Sequence, residues 1–206
     1  MKTNIQKNAF AVVLSFLTIL AFTLTSCQKE QLTQRGQPGQ ALQSNPAISQ
    51  AAAHVDYVYW VGLEPFIEGP DKIVAPNGDT MIIEGSGTLS IHAKSVTGEG
   101  SFEHVTSSGA LLASGTWKAL ELLGFKSWGS SADPAFPTNF EAGKALIRIH
   151  LSPDAGGSGI DAILQIYCVL PGTKHPPAFE EGVRVVIQDV INFNDPVHGQ
   201  TLFIRQ

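Results

Sequence analysis

Three short runs decide how this chain folds: Gly85-Ser86-Gly87-Thr88-Leu89, Gly98-Glu99-Gly100-Ser101-Phe102 and Ser114-Gly115-Thr116-Trp117. Gly85 to Gly98 spans 13 residues and Gly100 to Gly115 spans 15. That is the length of one strand plus one turn, the period of a β-meander. On this reading the glycines mark turns and places where strands bend or approach closely. The small hydroxyl residue and the large apolar residue beside it then point to opposite faces.

Working outward from these runs, no window from His54 onward keeps a helical period beyond two turns. Alternating or β-branched segments are instead separated by Gly, Pro, Asn and Asp. The expected strands are Val55–Val61, Lys72–Ala75, Thr80–Glu84, Gly87–Ala93, Gly100–Thr106, Gly115–Trp128, Lys144–Leu151, Asp161–Leu170, Val183–Gln188 and Gln200–Arg205. Pro76-Asn77-Gly78-Asp79, the run from Ser152 to Gly157, and Pro171-Gly172 carry turn chemistry between them. Short strands with no room for crossover helices predict an all-β domain over 54–206. The form expected is a single antiparallel β-barrel of roughly 8–10 meander-like strands, with a β-sandwich as the alternative. The Gly-x-Gly punctuation over residues 85–117 resembles that of small up-and-down barrels such as lipocalins, and of the barrels of dirigent proteins and allene oxide cyclases. The resemblance implies the architecture and carries no function across.

Residues 1–26 read as an address. Lys2 and Lys7 give a positive start, and Phe10 to Leu24 is an uncharged apolar run. It is too short for a permanent membrane span and fits the core of a signal peptide. It ends in Leu24-Thr25-Ser26-Cys27. This resembles the lipobox of bacterial lipoproteins, although Thr25 and Ser26 stand where Ala and Gly are commonest. The resemblance implies cleavage before Cys27, a diacylglyceryl thioether on its sulfur and an acylated new N-terminus. It implies a lipid-anchored, extracytoplasmic protein of the cell envelope, periplasmic or at the surface. The alternative is an ordinary secretory signal with an incidental Cys. Residues 28–53 carry seven Gln with Gly, Pro, Ser and Ala and almost no large apolar side chains. Such a composition cannot offset its ordering entropy, so the segment reads as a flexible tether, or as a short helix over Gln40–Ala53.

Composition narrows the function classes. Of 206 residues only 15% are charged, which excludes a coiled coil and a charge-driven disordered chain. The net charge of −5 becomes −7 once Lys2 and Lys7 are removed, leaving 11 basic against 18 acidic residues. That argues against nucleic acid as a partner, and for a body that stands off an anionic membrane surface. Two cysteines cannot build a disulfide scaffold. Cys168 alternates with Leu164, Ile166 and Leu170 on an apolar face, where a thiol behaves as a small hydrophobe.

Candidate chemistry is sparse. In the strand Lys144–Leu151, Ala145, Ile147, Ile149 and Leu151 form one face, and Lys144, Leu146, Arg148 and His150 the other. Arg148 and His150 would join Asp161, Gln165 and Tyr167 of the next strand in a polar cluster. Turned into a barrel, that cluster would bind an anionic or hydroxylated small molecule. Turned outward, it would be a solvated surface, and this orientation is the one favoured. Glu121 shares parity with Trp117, Ala119, Leu123 and Phe125. On a straight strand it would sit in an aromatic row with a raised pKa, whereas a bulge at Leu120–Leu123 would turn it outward. The bulge is expected. If Thr97-Gly98-Glu99 is a hairpin loop, His92 faces His104, but no third ligand is identifiable and no metal is expected. Between Ser130 and Gly143, Phe136 and Phe140 either form a lid or pin the loop to the surface. No nucleophile elbow, phosphate loop or dinucleotide fingerprint is present and no cofactor is expected. The leading expectation is a module binding a small apolar or amphipathic ligand. The alternatives are a protein or polysaccharide interaction domain of the envelope, and a cofactor-free β-barrel enzyme (isomerase, cyclase or hydrolase).

Overall fold

A computed structural model of the chain describes residues 56–206. The expected leader at 1–26, Cys27 and the tether at 28–53 lie outside the described residues. Within them the chain forms eleven strands and no helix. In order they are β1 (Asp56–Val61), β2 (Asp71–Val74), β3 (Thr80–Ser90), β4 (Ser95–Val105), β5 (Leu111–Ser130) and β6 (Phe140–Pro153). They continue with β7 (Ile160–Cys168), β8 (Gly182–Ile187), β9 (Ile191–Phe193), β10 (Asp195–His198) and β11 (Thr201–Arg205).

All pairings are antiparallel, and all eleven strands belong to one sheet. From β3 to β9 each strand pairs with the next, as the meander reading requires. Two long strands have two partners on one edge. β3 gives residues 80–83 to β2 and 85–90 to β1. β6 gives residues 140–141 to β11 and 143–151 to β7. Because β1 also pairs with β11, hydrogen bonding closes a circuit through β1, β3, β4, β5, β6 and β11.

The decisive glycines lie mid-strand, not at turns. Gly85 faces Gly100, and Gly87 faces Gly98. A Cβ on Gly98 would lie 2.0 Å from the Tyr59 hydroxyl oxygen, and one on Gly100 2.5 Å from Trp117 Nε1. Two large rings therefore occupy the space that side chains would take. Their polar tips are satisfied there. The Tyr59 hydroxyl donates to the Thr97 carbonyl at 2.9 Å, and Trp117 Nε1 donates to the Glu84 carbonyl at 2.9 Å. A buried aromatic with a satisfied polar tip is a stable core element.

This corrects two expectations. Thr80–Glu84 and Gly87–Ala93 are parts of one strand, β3, because Gly85 and Gly87 admit rings without breaking the ladder. Thr97-Gly98-Glu99 is not a hairpin loop, since all three residues lie within β4. The turn is Ile91–Lys94, with Lys94 at a φ of 49°. His92 sits in that turn, while His104 pairs with Met81 at the far end of the hairpin, so the two imidazoles do not meet. The turn at Pro76–Asp79 forms as expected, with Gly78 at a φ of 85°. The sequence reading missed β9 and β10, which are too short to show alternation.

The core lies on the face that the β6 pattern predicts. Ala145, Ile147 and Ile149 are fully buried, and Leu151 is 2% exposed. They pack with Tyr59, Trp117, Leu164, Ile166, Phe193 and Phe203. Cys168 is fully buried among them, and desolvation pushes its thiol pKa far up, as befits a core residue.

Candidate functional site on the outer face of β5 to β8

With that face in the core, Arg148 and His150 point outward. The orientation on which the function reading depended is thus the solvated one. β5 governs what surrounds them. Its register against β6 slips three times, at Ala119/Glu121, Leu122/Gly124 and Ser127/Gly129. The residues left without a partner are Leu120, Leu123 and Trp128. Each slip is a β-bulge, with one residue too many on β5. The bulge expected near Leu120 is therefore present, and Glu121 faces out opposite Arg148. A straight strand would have buried it.

Four of the expected site residues come together here. Arg148 donates toward Glu121 at 3.0 Å and lies 3.6 Å from Asp161. His150 Nδ1 is 2.7 Å from Asp161. About half of each of the Glu121, Arg148 and Asp161 side chains is exposed, so solvent screens the ion pairs and each contributes little to stability. Their value is geometric, because the carboxylates hold the guanidinium in place. Beside them lies an open groove of about 360 Å³ lined by Leu123, Arg148, Asp161, Ala162, Ile163, Val186 and Gln188. Its walls are chiefly apolar. Leu120 and Leu123, extruded by the bulges, remain 46% and 45% exposed, and Ile163 37%.

Gln165 and Tyr167 stand apart from this cluster. The Tyr167 hydroxyl donates to Gln165 Oε1 at 2.6 Å, but the tyrosine is only 3% exposed. It is covered by a stack. Phe179, from the loop before β8, lies over its ring with centroids 5.1 Å apart, and Trp128 stacks on Phe179 at 5.7 Å. Lys144 Nζ lies 5.1 Å from the centroids of both Tyr167 and Phe179, and the Arg184 guanidinium is 4.6 Å from Tyr167. Cations over ring faces are attracted by the ring quadrupole. Phe136 packs against the edge of the core and Phe140 opens β6, so both tie their loop down.

Sequence reading missed one further group. Asp71 is 1% exposed, and neither of its carboxyl oxygens has a hydrogen-bond partner. Burial, reinforced by the charge of Glu181, raises its pKa to about 8. Burial likewise raises Glu181 to about 7, against hydrogen bonds from Thr201 and Val169 that favour its ionised form. Asp71 opens β2 in a position that strand alternation turns inward, and that parity was the available signal. Among the described residues no group of three or more His, Cys, Asp or Glu could hold a metal ion.

No family model, no curated protein and no solved structure matches this chain.

Proposed function

We propose that this chain is a lipid-anchored, extracytoplasmic binding module. In this reading the six-strand circuit is a β-barrel rather than a sandwich, and Cys27 is the anchor. The ligand is a small amphipathic molecule, held outside the barrel in the groove between β5 and β8. The interior is occupied by Tyr59, Trp117, Ile147 and Phe203, each less than 2% exposed. The observation that carries the reading is the groove itself. Apolar walls from Leu123, Ala162, Ile163 and Val186 meet three polar groups, on Arg148, Asp161 and Gln188. Its volume falls in the range of small-molecule sites, roughly 300–1,000 Å³. The Arg148 guanidinium, aligned by Glu121 and Asp161, keeps N–H donors that suit a hydrogen-bond-accepting head on an apolar body.

The dye 1-anilinonaphthalene-8-sulfonate has that chemistry. Titrated into the mature chain, it is expected to show a saturable one-site fluorescence rise. Ile163→Asp should abolish it, and Arg148→Ala should weaken it about tenfold. Ile91→Asp, in the exposed β3–β4 turn, serves as the control and should change nothing. Equal signals from all of these proteins would sink the proposal.

A further inference from the structure

The register of β5 on β6 places Lys126 directly opposite Lys144. Residues so placed have Cβ atoms about 5 Å apart, and like charges there repel. Among the described residues neither lysine has a carboxylate within ion-pair distance, and the same holds for Arg184 and Lys174. The contrast with Arg148 and Arg205 is direct, since each of those is ion-paired to glutamate or aspartate. From residue 56 onward the chain has nine basic and seventeen acidic residues, and four of the nine are in this patch. Along the chain the carboxylates nearest these cations are Asp133, Glu141, Glu180 and Glu181; Glu141 is ion-paired to Arg205, and Glu181 accepts from Val169 and Thr201.

The cations surround aromatic rings. Trp128, extruded by the third bulge, stacks on Phe179 and lies 5.9 Å from His175. Lys174 precedes His175 in the chain and is exposed. Amphipathic rings among basic side chains are the composition found at membrane interfaces.

By register β1 begins at the end of the circuit where β11, the start of β6 and the end of β5 meet, which is the end that carries this patch. Tyr57 packs its ring 4.7 Å from that of Phe125, the neighbour of Lys126. Its hydroxyl donates to Glu141 at 3.0 Å, and Glu141 also accepts from Ser127. Cys27 is separated from Asp56 by 28 residues; if that stretch is the tether its composition suggests, its r.m.s. span is about 30 Å. On the tether reading, anchoring at Cys27 would make contact of the patch with that surface nearly intramolecular.

We propose that the patch formed by Lys126, Lys144, Lys174 and Arg184 around Trp128 is the surface by which the anchored domain rests on an anionic lipid bilayer. The proposal rests on the anchoring of Cys27. It departs from the expectation that an acidic body stands off the membrane, because the positive charge is local and lies at the tether end. Contact of each lysine with an anionic leaflet strengthens binding about fivefold.

The test is site-resolved amine labelling of the mature lipidated protein, reconstituted into vesicles of pure phosphatidylcholine or of 3:1 phosphatidylcholine and phosphatidylglycerol. Lys126 and Lys144 should react about tenfold more slowly in the anionic vesicles. Exposed Lys94 and Lys118 should react equally in both. High salt should remove the protection, because it screens charge. Replacing both residues, as Lys126→Gln with Lys144→Gln, should restore Lys174 to its rate in neutral vesicles. Equal labelling of Lys126 and Lys144 in the two vesicles overturns the proposal. So does protection by an added uronic acid polymer with none from phosphatidylglycerol, which would assign the patch to acidic sugar. A protein that floats with neither vesicle, and shows no acyl mass on Cys27, removes the anchoring premise instead.

Discussion

Asp71 carries a carboxyl group into the interior with neither oxygen hydrogen-bonded. A buried carboxyl without partners keeps its proton, because desolvation penalises the charged form. Its pKa in the fold, about 8, lies far above the value near 4 of an unfolded aspartate. The folded state therefore binds this proton more tightly than the unfolded state does. The resulting stability is complete below pH 4 and is lost progressively as pH rises from there to about 8, with Glu181, raised to about 7, adding to the same trend. Urea unfolding of the wild type should lose a few kcal/mol relative to Asp71→Asn between pH 5 and pH 8. Parallel pH profiles for the two proteins would contradict this account. Strand parity made Asp71 legible as an inward residue. Its isolation was not legible, because the missing partners depend on which elements close over it: Gly199 and Gly182 both come from distant segments.

At the scale of the element, β5 shows how a strand can carry two programmes. Trp117, Ala119, Leu122 and Phe125 keep the core supplied, while Leu120 and Leu123 are expelled as spare residues and Trp128, the third, packs half-buried at the core's edge. Alternation alone assigns Leu123 to the core face with Trp117, and only a bulge reconciles the run Leu120-Glu121-Leu122-Leu123 with one buried face. A spare residue is removable. Deleting Leu120 restores a regular ladder in which Glu121 still faces Arg148, so stability should change by no more than about 1 kcal/mol. Deleting Ile147 from β6, where no spare exists, throws the following side chains onto the wrong face and should prevent cooperative folding. Denaturant melts of the two deletions decide the matter, and similar behaviour of both would refute the bulge assignment. The meeting of Arg148 and His150 with Asp161 was legible because they are neighbours across one hairpin; that Glu121 joins them, and that Gln165 and Tyr167 do not, rests on the β5 bulge and on the rings over Tyr167. The groove beside Arg148 was not legible, because Val186 reaches it from β8 and Gln188 from the turn that follows.

At the scale of the whole molecule, closure depends on the last strand. β11 bridges β1 and β6, so the first and last described segments meet. Removing Thr201–Gln206 would open two strand edges and take Leu202 and Phe203 from the core. That loss is on the order of 5 kcal/mol or more, comparable with the whole stability of a domain. The truncated protein should lose its near-ultraviolet circular dichroism and its cooperative urea transition. An unchanged midpoint would show that closure contributes nothing. The sequence by itself determined the strand class, most strand positions, the core face of β6 and the buried role of Cys168, because alternation and turn chemistry are local properties. The tertiary structure decided the circuit, the mid-strand role of the glycines and the groove that Val186 completes beside Arg148. It also decided the isolation of Asp71 and the meeting of Lys126 with Lys144. Each of these depends on register between strands, and register is set by how rings such as Tyr59 and Trp117 fill a shared core, which no single segment contains.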